Sequence, residues 1–479
     1  MNNSLKILIV ANEIVPFYKR GGLGDVIGAL PEALRKIEVD ARVIVPYYND
    51  IKNKYHLKEE GEFEIDFDSR KDRIGVYSAL SPQAETPVYF LENKQHLCFY
   101  NVRGKKKKIE QFVFFDLAVA HFIKWVSEHH KWSPSIIHCN DWHTGLIPLI
   151  LKQKVKLETP TLLTIHNLMY QGRGSLRVLD LLDMKDEETE ELKRGKLVTE
   201  INILGEGLIH ATRVSTVSPT YAKEIVSKDD DRRNIIYSFI RRREEKKLPD
   251  EEIIGILNGI DYNIWSPVAD ELIFHKFNVD NWEVGKEDNK EDLLRSLGLQ
   301  NKPTFCFVGR MAIQKGLDVL IKAINHISHL DVNVIILGSG DTRIESSILE
   351  IAKKFPWVKA EFVYSEELAH KIYAGSDFII IPSRYEPCGL IQMIAMKYGT
   401  IPIASRTGGL QDSIEHGENG FLFEKGRSIR LKKTIEHALN VWKNKEQYKK
   451  MVEKAMKTDF SWDKSAVLYK KLYEEMLAK

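Results

Sequence analysis

The sequence predicts an α/β protein with two doubly wound, mostly parallel sheets in two separate domains. Three observations support this prediction. The chain has 479 residues, short β-branched apolar runs recur along it, and segments with a helical pattern separate those runs. A chain of this length exceeds one ordinary hydrophobic core. Near-continuous apolar runs are typical of strands covered on both faces, and their alternation with helices indicates βαβ units.

Ten of these runs are predicted to be buried parallel strands. They lie at residues 6–11, 41–46, 87–91, 135–139, 161–165, 213–217, 304–308, 333–337, 377–381 and 400–404. Ten strands are more than one sheet comfortably holds, so we divide them between two domains.

The predicted boundary lies within residues 255–267, where polar and turn residues cluster and Pro267 would stop a helix. We therefore assign residues 1–255 to the first domain and 256–459 to the second. Residues 460–479 are predicted to form a last helix, which Ser461 can cap and whose first turn suits Asp463.

Composition excludes several classes of protein. A net charge of +2 with 43% apolar and 29% charged residues is typical of a globular protein and favours neither a nucleic-acid nor a membrane partner. The four cysteines, at positions 98, 139, 306 and 388, have no paired spacing, which argues against disulfides and zinc sites. The apolar stretch near the start is too short for a signal peptide, so we expect a cytoplasmic protein.

Two familiar motifs are not expected to bind their usual ligands, because of where they lie in the chain. Gly22, Gly24 and Gly28 hint at dinucleotide binding, but ten residues separate the first strand from Gly22, so a nicotinamide site is not expected. Two D-x-D pairs, Asp66/Asp68 and Asp229/Asp231, are alternatives as metal sites. The first lies on an alternating, half-exposed strand and the second in a charge-rich stretch, and neither is predicted to bind a metal.

A strand-end loop near the start has the features of an anion site. Glu13 and Pro16 precede Lys19-Arg20-Gly21-Gly22-Leu23-Gly24, and an amphipathic helix is predicted to begin near Leu23. Glycines let backbone amides approach a phosphate closely, and the positive end of a helix points the same way. Pro31 is expected to kink or restart this helix.

Loops after three later strands carry similar chemistry. Arg310 and Lys315 lie five residues apart and suit a diphosphate. Glu386 precedes a Pro-Cys-Gly turn, where it can accept hydrogen bonds from a polyol. Cys388 is expected to be a packed residue, because the sequence offers it no base. The third loop supplies the paired glycines that follow Thr407.

Two further strands of the first half end in polar groups. Asp141 and His143 follow one of them, and His166 follows the next. Ligands of open α/β sheets bind beyond the carboxyl ends of the strands. Because both halves carry glycine and cation loops there, two facing domains would enclose a cleft with a diphosphate at its centre.

Taken together, the motifs resemble those of bacterial glycogen synthases and plant starch synthases, the family 5 glycosyltransferases. The resemblance covers almost the whole chain. The matching segments are Lys19–Val26, Asp141–Leu146, His166–Gly172, Val217–Ile225, Ile256–Asp261, Gly309–Gly316, Ser383–Gln392, Thr407–Asp412 and Phe460–Trp462.

This resemblance implies a GT-B fold, with two Rossmann-like domains facing a central cleft and residues 460–479 returning to the first domain. It implies retaining transfer of glucose from a nucleotide sugar to the non-reducing end of an α-1,4-glucan. ADP-glucose is the expected donor and UDP-glucose the alternative. No metal or other cofactor is expected.

The family pattern also implies the site residues. Those expected to take part in catalysis are Lys19, Asp141, His166, Arg310, Lys315 and Glu386. Those expected to bind the donor or its nucleotide are Glu13, Lys19, Gly21, Gly22, Asn258, Arg310, Gln314, Lys315, Tyr364, Cys388, Gly389, Leu390, Thr407, Gly408, Gly409 and Leu410. Tyr364 is expected to stack on the base.

The sequence departs from related patterns at two places. Ile394 stands where many other retaining GT-B enzymes have a second glutamate, and residues 226–252 carry charge in place of a glycine-containing element. Two other functions stay open: a retaining transferase for sucrose, trehalose or lipid-linked sugars, and a catalytically silent glucan-binding relative.

Overall fold

The computed structural model describes residues 4–82, 85–98, 105–182, 184, 200–227 and 253–478. The charge-rich stretch 229–252, with Asp229 and Asp231, lies outside the described residues, as do the side chains of residues 105–107.

The chain forms two compact units. The first comprises Met1–Val217, Ala222–Ile256 and Trp462–Lys479, and the second comprises Ser218–Tyr221 and Leu257–Ser461.

A nine-stranded sheet forms the centre of the first unit, in the order β11-β10-β7-β6-β1-β2-β5-β4-β3. Its strands are β1 (Lys6–Val10), β2 (Asp40–Pro46), β3 (Lys58–Phe67), β4 (Arg70–Leu80), β5 (Pro87–Glu92), β6 (Ile136–Asn140), β7 (Thr161–Ile165), β10 (Arg213–Thr216) and β11 (Ile254–Gly255). The strands from β11 to β5 pair in parallel, and the β3–β4 hairpin adds an antiparallel edge. A separate short pair joins β8 (Arg173–Ser175) and β9 (Glu200–Asn202).

Helices connect these strands. They are α1 (Gly22–Lys36), α2 (Asn49–Lys52), α3 (Lys105–His130), α4 (Ile147–Ile150), α5 (Ile203–His210) and α6 (Pro219–Val226), with short 3-10 turns at Trp142–Thr144, Leu176–Val178 and Asp180–Leu182 and a π turn at Leu151–Val155. The helix α1 runs without a break through the buried Pro31, so the expected restart there is wrong. The ring lacks only a backbone donor, and burial of the apolar face on both sides of it keeps the helix together.

The second unit has an all-parallel six-stranded sheet in the order β14-β13-β12-β15-β16-β17. Its strands are β12 (Thr304–Val308), β13 (Asn333–Leu337), β14 (Val358–Glu361), β15 (Phe378–Ile381), β16 (Ile401–Ser405) and β17 (Phe421–Phe423). The helices of the second unit are α7 (Trp282–Leu297), α8 (Leu317–His326), α9 (Thr342–Lys354), α10 (Glu366–Gly375), α11 (Ile391–Lys397), α12 (Gly408–Ser413), α13 (Ser428–Lys443) and α14 (Lys445–Lys457), with a 3-10 turn at Ile313–Lys315.

The last helix, α15 (Trp462–Leu477), belongs to the first unit. Its buried face includes Tyr469 and Tyr473 and joins the same hydrophobic core as β1 and α1. Lys470 donates to the carbonyl oxygen of Ile37 at 2.9 Å, just beyond the end of α1.

All ten predicted strands are present to within a residue or two, as is the α/β class. The β3–β4 hairpin shows the predicted alternation, because Ile65 and Phe67 are buried while Asp66 is exposed. Three of the strands that sequence reasoning did not single out, β8, β14 and β17, are only three or four residues long.

Candidate active site

In the first unit, the predicted site residues follow three neighbouring strands, β1, β6 and β7. The carboxylate of Glu13 folds back onto the loop after β1 and accepts hydrogen bonds from the backbone N–H groups of Arg20 and Gly21. Burial raises the pKa of Glu13 to about 6. The Gly21 amide therefore donates within its own loop, and its contact with the donor stays a prediction.

Lys19 lies on the outer side of this loop. Its Nζ forms an ion pair with Asp25 Oδ1 at 2.7 Å, and both side chains are about one-third exposed. The loop packs tightly on α1, because a Cβ at Gly28 would lie 3.0 Å from the carbonyl oxygen of Val15. Helix α1 begins at Gly22, one residue before the predicted start.

Asp141 organises the ends of β6 and β7. Its backbone has φ = 58°, which is uncommon for a residue with a side chain. Its Oδ1 accepts hydrogen bonds from the N–H groups of His166 (2.7 Å) and Asn167 (3.2 Å). Burial raises the pKa of Asp141 to about 7, against the opposing effect of these two donors.

The structure brings His166 beside Asp141, as predicted, and ties its ring to Asn140. The ring Nε2 lies 2.8 Å from Asn140 Oδ1. Burial lowers the pKa of His166 to about 3, so the imidazole is neutral at physiological pH. His143 is also buried but lies against the rings of Phe112 and Trp142, which gives it a packing role.

Asp116, on α3, was missed by the sequence reasoning. Its Oδ2 accepts a hydrogen bond from the Leu146 N–H at 2.8 Å and so holds the turn that follows Asp141. Burial raises the pKa of Asp116 well above its usual value. The available signal was a single acidic residue in the otherwise apolar stretch 112–120.

In the second unit, the site residues follow the adjacent strands β12, β15 and β16. Lys315 Nζ forms a buried ion pair with Glu386 Oε2 at 2.6 Å. Ser383 Oγ donates to the same oxygen at 2.9 Å. Two donors thus fix one carboxylate oxygen and set the direction of the other. Ser383 was not predicted, although it belongs to the same matching segment.

Close backbone contacts make these three loops one rigid layer. A Cβ at Gly316 would lie 2.0 Å from the Pro382 carbonyl oxygen, and one at Gly408 would lie 2.0 Å from that of Glu386. The Gly409 N–H donates to the Glu386 carbonyl oxygen at 3.1 Å. Packing the loops together thus engages the Gly409 amide within the protein, and its contact with the donor stays a prediction.

Arg310 and Tyr364 present their side chains to solvent. Arg310 is exposed, and Tyr364 is 81% exposed. By contrast, Gln314 is held by the loop that follows β15: its carbonyl accepts from the Arg384 N–H at 2.8 Å, and its Nε2 donates to the Tyr385 carbonyl at 3.3 Å.

Cys388 is buried beside Asn258. Burial raises the pKa of the Cys388 thiol to about 12, although the Asn258 N–H opposes this shift. The thiol is therefore not ionised near neutral pH, in agreement with the predicted packing role. Gly389 has φ = 75° and allows the chain to turn from Cys388 into Leu390, the residue before α11.

Within the described part of the chain, no helix is both long and apolar enough to cross a bilayer. No group of three or more His, Cys, Asp or Glu side chains in that part has the arrangement of a metal site.

Two family profiles match the chain. Residues 6–234 match the starch synthase catalytic domain, and residues 289–458 match the glycosyl transferases group 1 family. The glycogen synthase of Caldicellulosiruptor bescii is 38% identical, over 99% of this chain and 100% of its own length. That of Thermotoga maritima is 34% identical, over 99% of both chains. The chain belongs to the glycogen synthase family.

Solved structures agree with this family. The catalytic domain of starch synthase IV from Arabidopsis thaliana, bound to ADP and acarbose, has a TM-score of 0.88 and 30% identity, over 99% of this chain and 100% of its own. Sucrose-phosphate synthase from Thermosynechococcus elongatus, at 18% identity and a TM-score of 0.60, shares the fold. These glycogen synthase matches confirm the predicted family, GT-B class and glycosyltransferase assignment.

Proposed function

We propose that the chain transfers glucose from ADP-glucose to the non-reducing end of an α-1,4-glucan, retains the α configuration and releases ADP. Full-length relatives named glycogen synthase support this activity. A similar structure that holds ADP and acarbose supports the choice of nucleotide and glucan. UDP-glucose is the alternative donor.

The observation that carries the proposal is the arrangement of Lys315, Ser383 and Glu386. A cation and a carboxylate that is fixed through one oxygen lie together where parallel strands end. A cation suits the diphosphate of a nucleotide sugar, and the second carboxylate oxygen suits the hydroxyl groups of the glucose.

Three cationic side chains are assigned to stabilise the leaving diphosphate. As the bond between C1 of glucose and the diphosphate breaks, the diphosphate gathers negative charge. Lys19, Arg310 and Lys315 are the residues proposed to stabilise that charge, in the manner of a metal ion in other transferases.

Residues of the first unit are assigned to the sugar. His166 is proposed to lie against the donor glucose, where a backbone carbonyl can favour oxocarbenium character. Asp141, which already binds the His166 N–H, is the proposed polar partner near the reacting sugar or the acceptor.

The nucleotide-binding roles also remain proposals. The exposed ring of Tyr364 is proposed to stack on the base, and the loop from Thr407 to Leu410 to contact the phosphates. Contacts of Glu13, Asn258 and Gln314 with the donor are likewise proposals.

We propose a cytoplasmic location. The four cysteines are all free thiols, which suits a reducing compartment.

The test is incubation with radiolabelled ADP-glucose or UDP-glucose and glycogen. We expect label in α-1,4 chains that α-amylase digests, a preference for ADP-glucose, and full activity in EDTA. Absence of transfer from both donors would contradict the proposed function. Activity that a chelator abolishes and a divalent ion restores would contradict the role given to the cations.

A further inference from the structure

Asn140 ends β6 and is completely buried. Its Nδ2 donates to the carbonyl oxygens of Val10 and His138, each at 3.1 Å. Because carbonyl oxygens only accept hydrogen bonds, the amide nitrogen must face them. The amide oxygen of Asn140 must then point the other way, toward His166.

This orientation decides which nitrogen of His166 carries the proton. Asn140 Oδ1 lies 2.8 Å from His166 Nε2, and an amide oxygen can only accept, so Nε2 bears the hydrogen. The ring is neutral, which leaves a lone pair on Nδ1. None of the described residues donates a hydrogen bond to Nδ1.

We propose that Asn140 is a positioning residue that keeps His166 in the Nε2–H form, so that Nδ1 accepts a hydrogen bond from a hydroxyl group of the transferred glucose. This inference rests on the proposed function. An acceptor nitrogen attracts a hydroxyl group and repels a phosphate oxygen. In this form, Nδ1 of His166 therefore binds the sugar and not the diphosphate. An amide does not ionise, so it holds one tautomer across the physiological pH range.

The support for Asn140 is itself fixed by buried groups. His138, whose carbonyl holds the amide, has its ring between Thr164 Oγ1 at 2.6 Å and the Tyr473 hydroxyl at 2.8 Å. Thr164 Oγ1 lies 2.7 Å from Ser215 Oγ. This network extends from β10 through β7 and β6 to α15, so the Asn140 side chain has little freedom to turn.

The test compares Asn140→Ala with the unsubstituted chain on ADP-glucose and on donors that each lack one glucose hydroxyl. With ADP-glucose, kcat/KM should fall roughly 10- to 100-fold, as expected for one hydrogen bond whose partner is left misoriented. With the donor that lacks the bonded hydroxyl, the same substitution should cost less than about threefold, because that bond is already absent.

Asn333→Ala is the matched control. Asn333 is a buried asparagine of the second unit, 1% exposed, and its Nδ2 donates to the Gln300 carbonyl oxygen at 2.8 Å. Its substitution should lower the melting temperature and change kcat/KM for every donor by the same factor. An equal loss on every donor for Asn140→Ala, or no loss at all, would overturn the inference while the unsubstituted chain remains active. Failure of the proposed function would instead appear as no transfer by the unsubstituted chain.

Asn140→Asp is a second variant that does not depend on the folding of the alanine variant. A carboxylate beside Nε2 favours the imidazolium form, in which Nδ1 is protonated and can no longer accept. Relative to the unsubstituted chain, kcat/KM should fall about tenfold or more from pH 8 to pH 6. His138 and Asp141, the titratable neighbours of His166, are present in both proteins. A pH profile parallel to that of the unsubstituted chain would refute the tautomer assignment.

Discussion

The loops that carry Lys19 and Lys315 differ in what holds the lysine. Lys19 pairs with Asp25 at a site where both side chains are about one-third exposed. Lys315 pairs with Glu386 where the two side chains are 14% and 8% exposed. A partly exposed pair contributes little energy and exchanges partners easily, whereas breaking a buried pair leaves an uncompensated charge. Two similar cation loops can therefore respond very differently to the loss of one partner.

The largest effect is expected for Glu386→Gln. It leaves Lys315 buried without its counter-charge and removes the carboxylate assigned to the glucose hydroxyls. We expect kcat to fall about 1,000-fold or more, measured as initial rates with ADP-glucose and glycogen. Asp318→Asn breaks an exposed pair with Arg384 and serves as the control, with less than a twofold change. A change of less than tenfold for Glu386→Gln would remove Glu386 from the mechanism.

Substitution of the two lysines compares the loops directly. Lys315→Ala and Lys19→Ala should each lower kcat about 100-fold or more, because each removes a charge from the leaving diphosphate. Lys315→Ala should also lower the melting temperature, since it leaves Glu386 buried and unpaired, while Lys19→Ala should not. Differential scanning fluorimetry, combined with the rate assay, distinguishes the loss of stability from the loss of activity. Equal melting temperatures for the two variants would contradict the difference in stability that we expect between the two ion pairs.

The raised pKa of Asp141 allows a test by pH. The pKa of Asp141 is raised from 3.8 to about 7, so the folded chain keeps a proton that the unfolded chain loses above about pH 4. Its contribution to stability therefore falls as the pH rises from about 4 to 7. Asp141→Asn should raise the melting temperature more at pH 8 than at pH 5, by roughly 2 to 4 °C for each kcal/mol recovered. A gain of equal size at both pH values would contradict the raised pKa.

The ion pair of Lys19 should be dispensable. Asp25→Asn removes a partner that is about one-third exposed, and we expect kcat/KM to change less than about threefold. A loss as large as that of Lys19→Ala would show that Asp25 acts in the reaction, and would remove the difference between the two loops.

A small effect is also expected at Cys388. Because burial raises its thiol pKa to about 12, iodoacetamide should not modify it in the native chain at pH 8. Cys388→Ala should lower kcat less than about tenfold. Rapid alkylation with loss of activity would contradict the packing role; mass spectrometry of the alkylated peptide identifies the position.

The sequence was most informative where one pattern decides one element. The ten strands followed from near-continuous apolar runs, and the strand-end position of Lys315, Glu386 and His166 followed from the topology of parallel sheets. Short strands such as β17 carry too few residues for any periodicity.

Hydrogen-bond partners could not be read in the same way. The Gly21 amide donates to Glu13 because their loop folds back on itself. The contacts of Gly409 with Glu386 and of Asn140 with His166 depend on distances between separate loops. Residue type and spacing show which groups lie at a strand end, but the three-dimensional packing decides which amides remain for a ligand.

The bond between Tyr473 and His138 has a consequence for biosynthesis. The hydroxyl that contacts the His138 ring on β6 comes from the last helix, and about 200 residues of the second unit are made before it. At roughly 5 to 20 residues per second, the ribosome needs on the order of 10 to 40 s to supply them. During that interval the newly made first sheet lacks the aromatic cover of α15, so the half of the enzyme that is synthesised first is the half that is completed last.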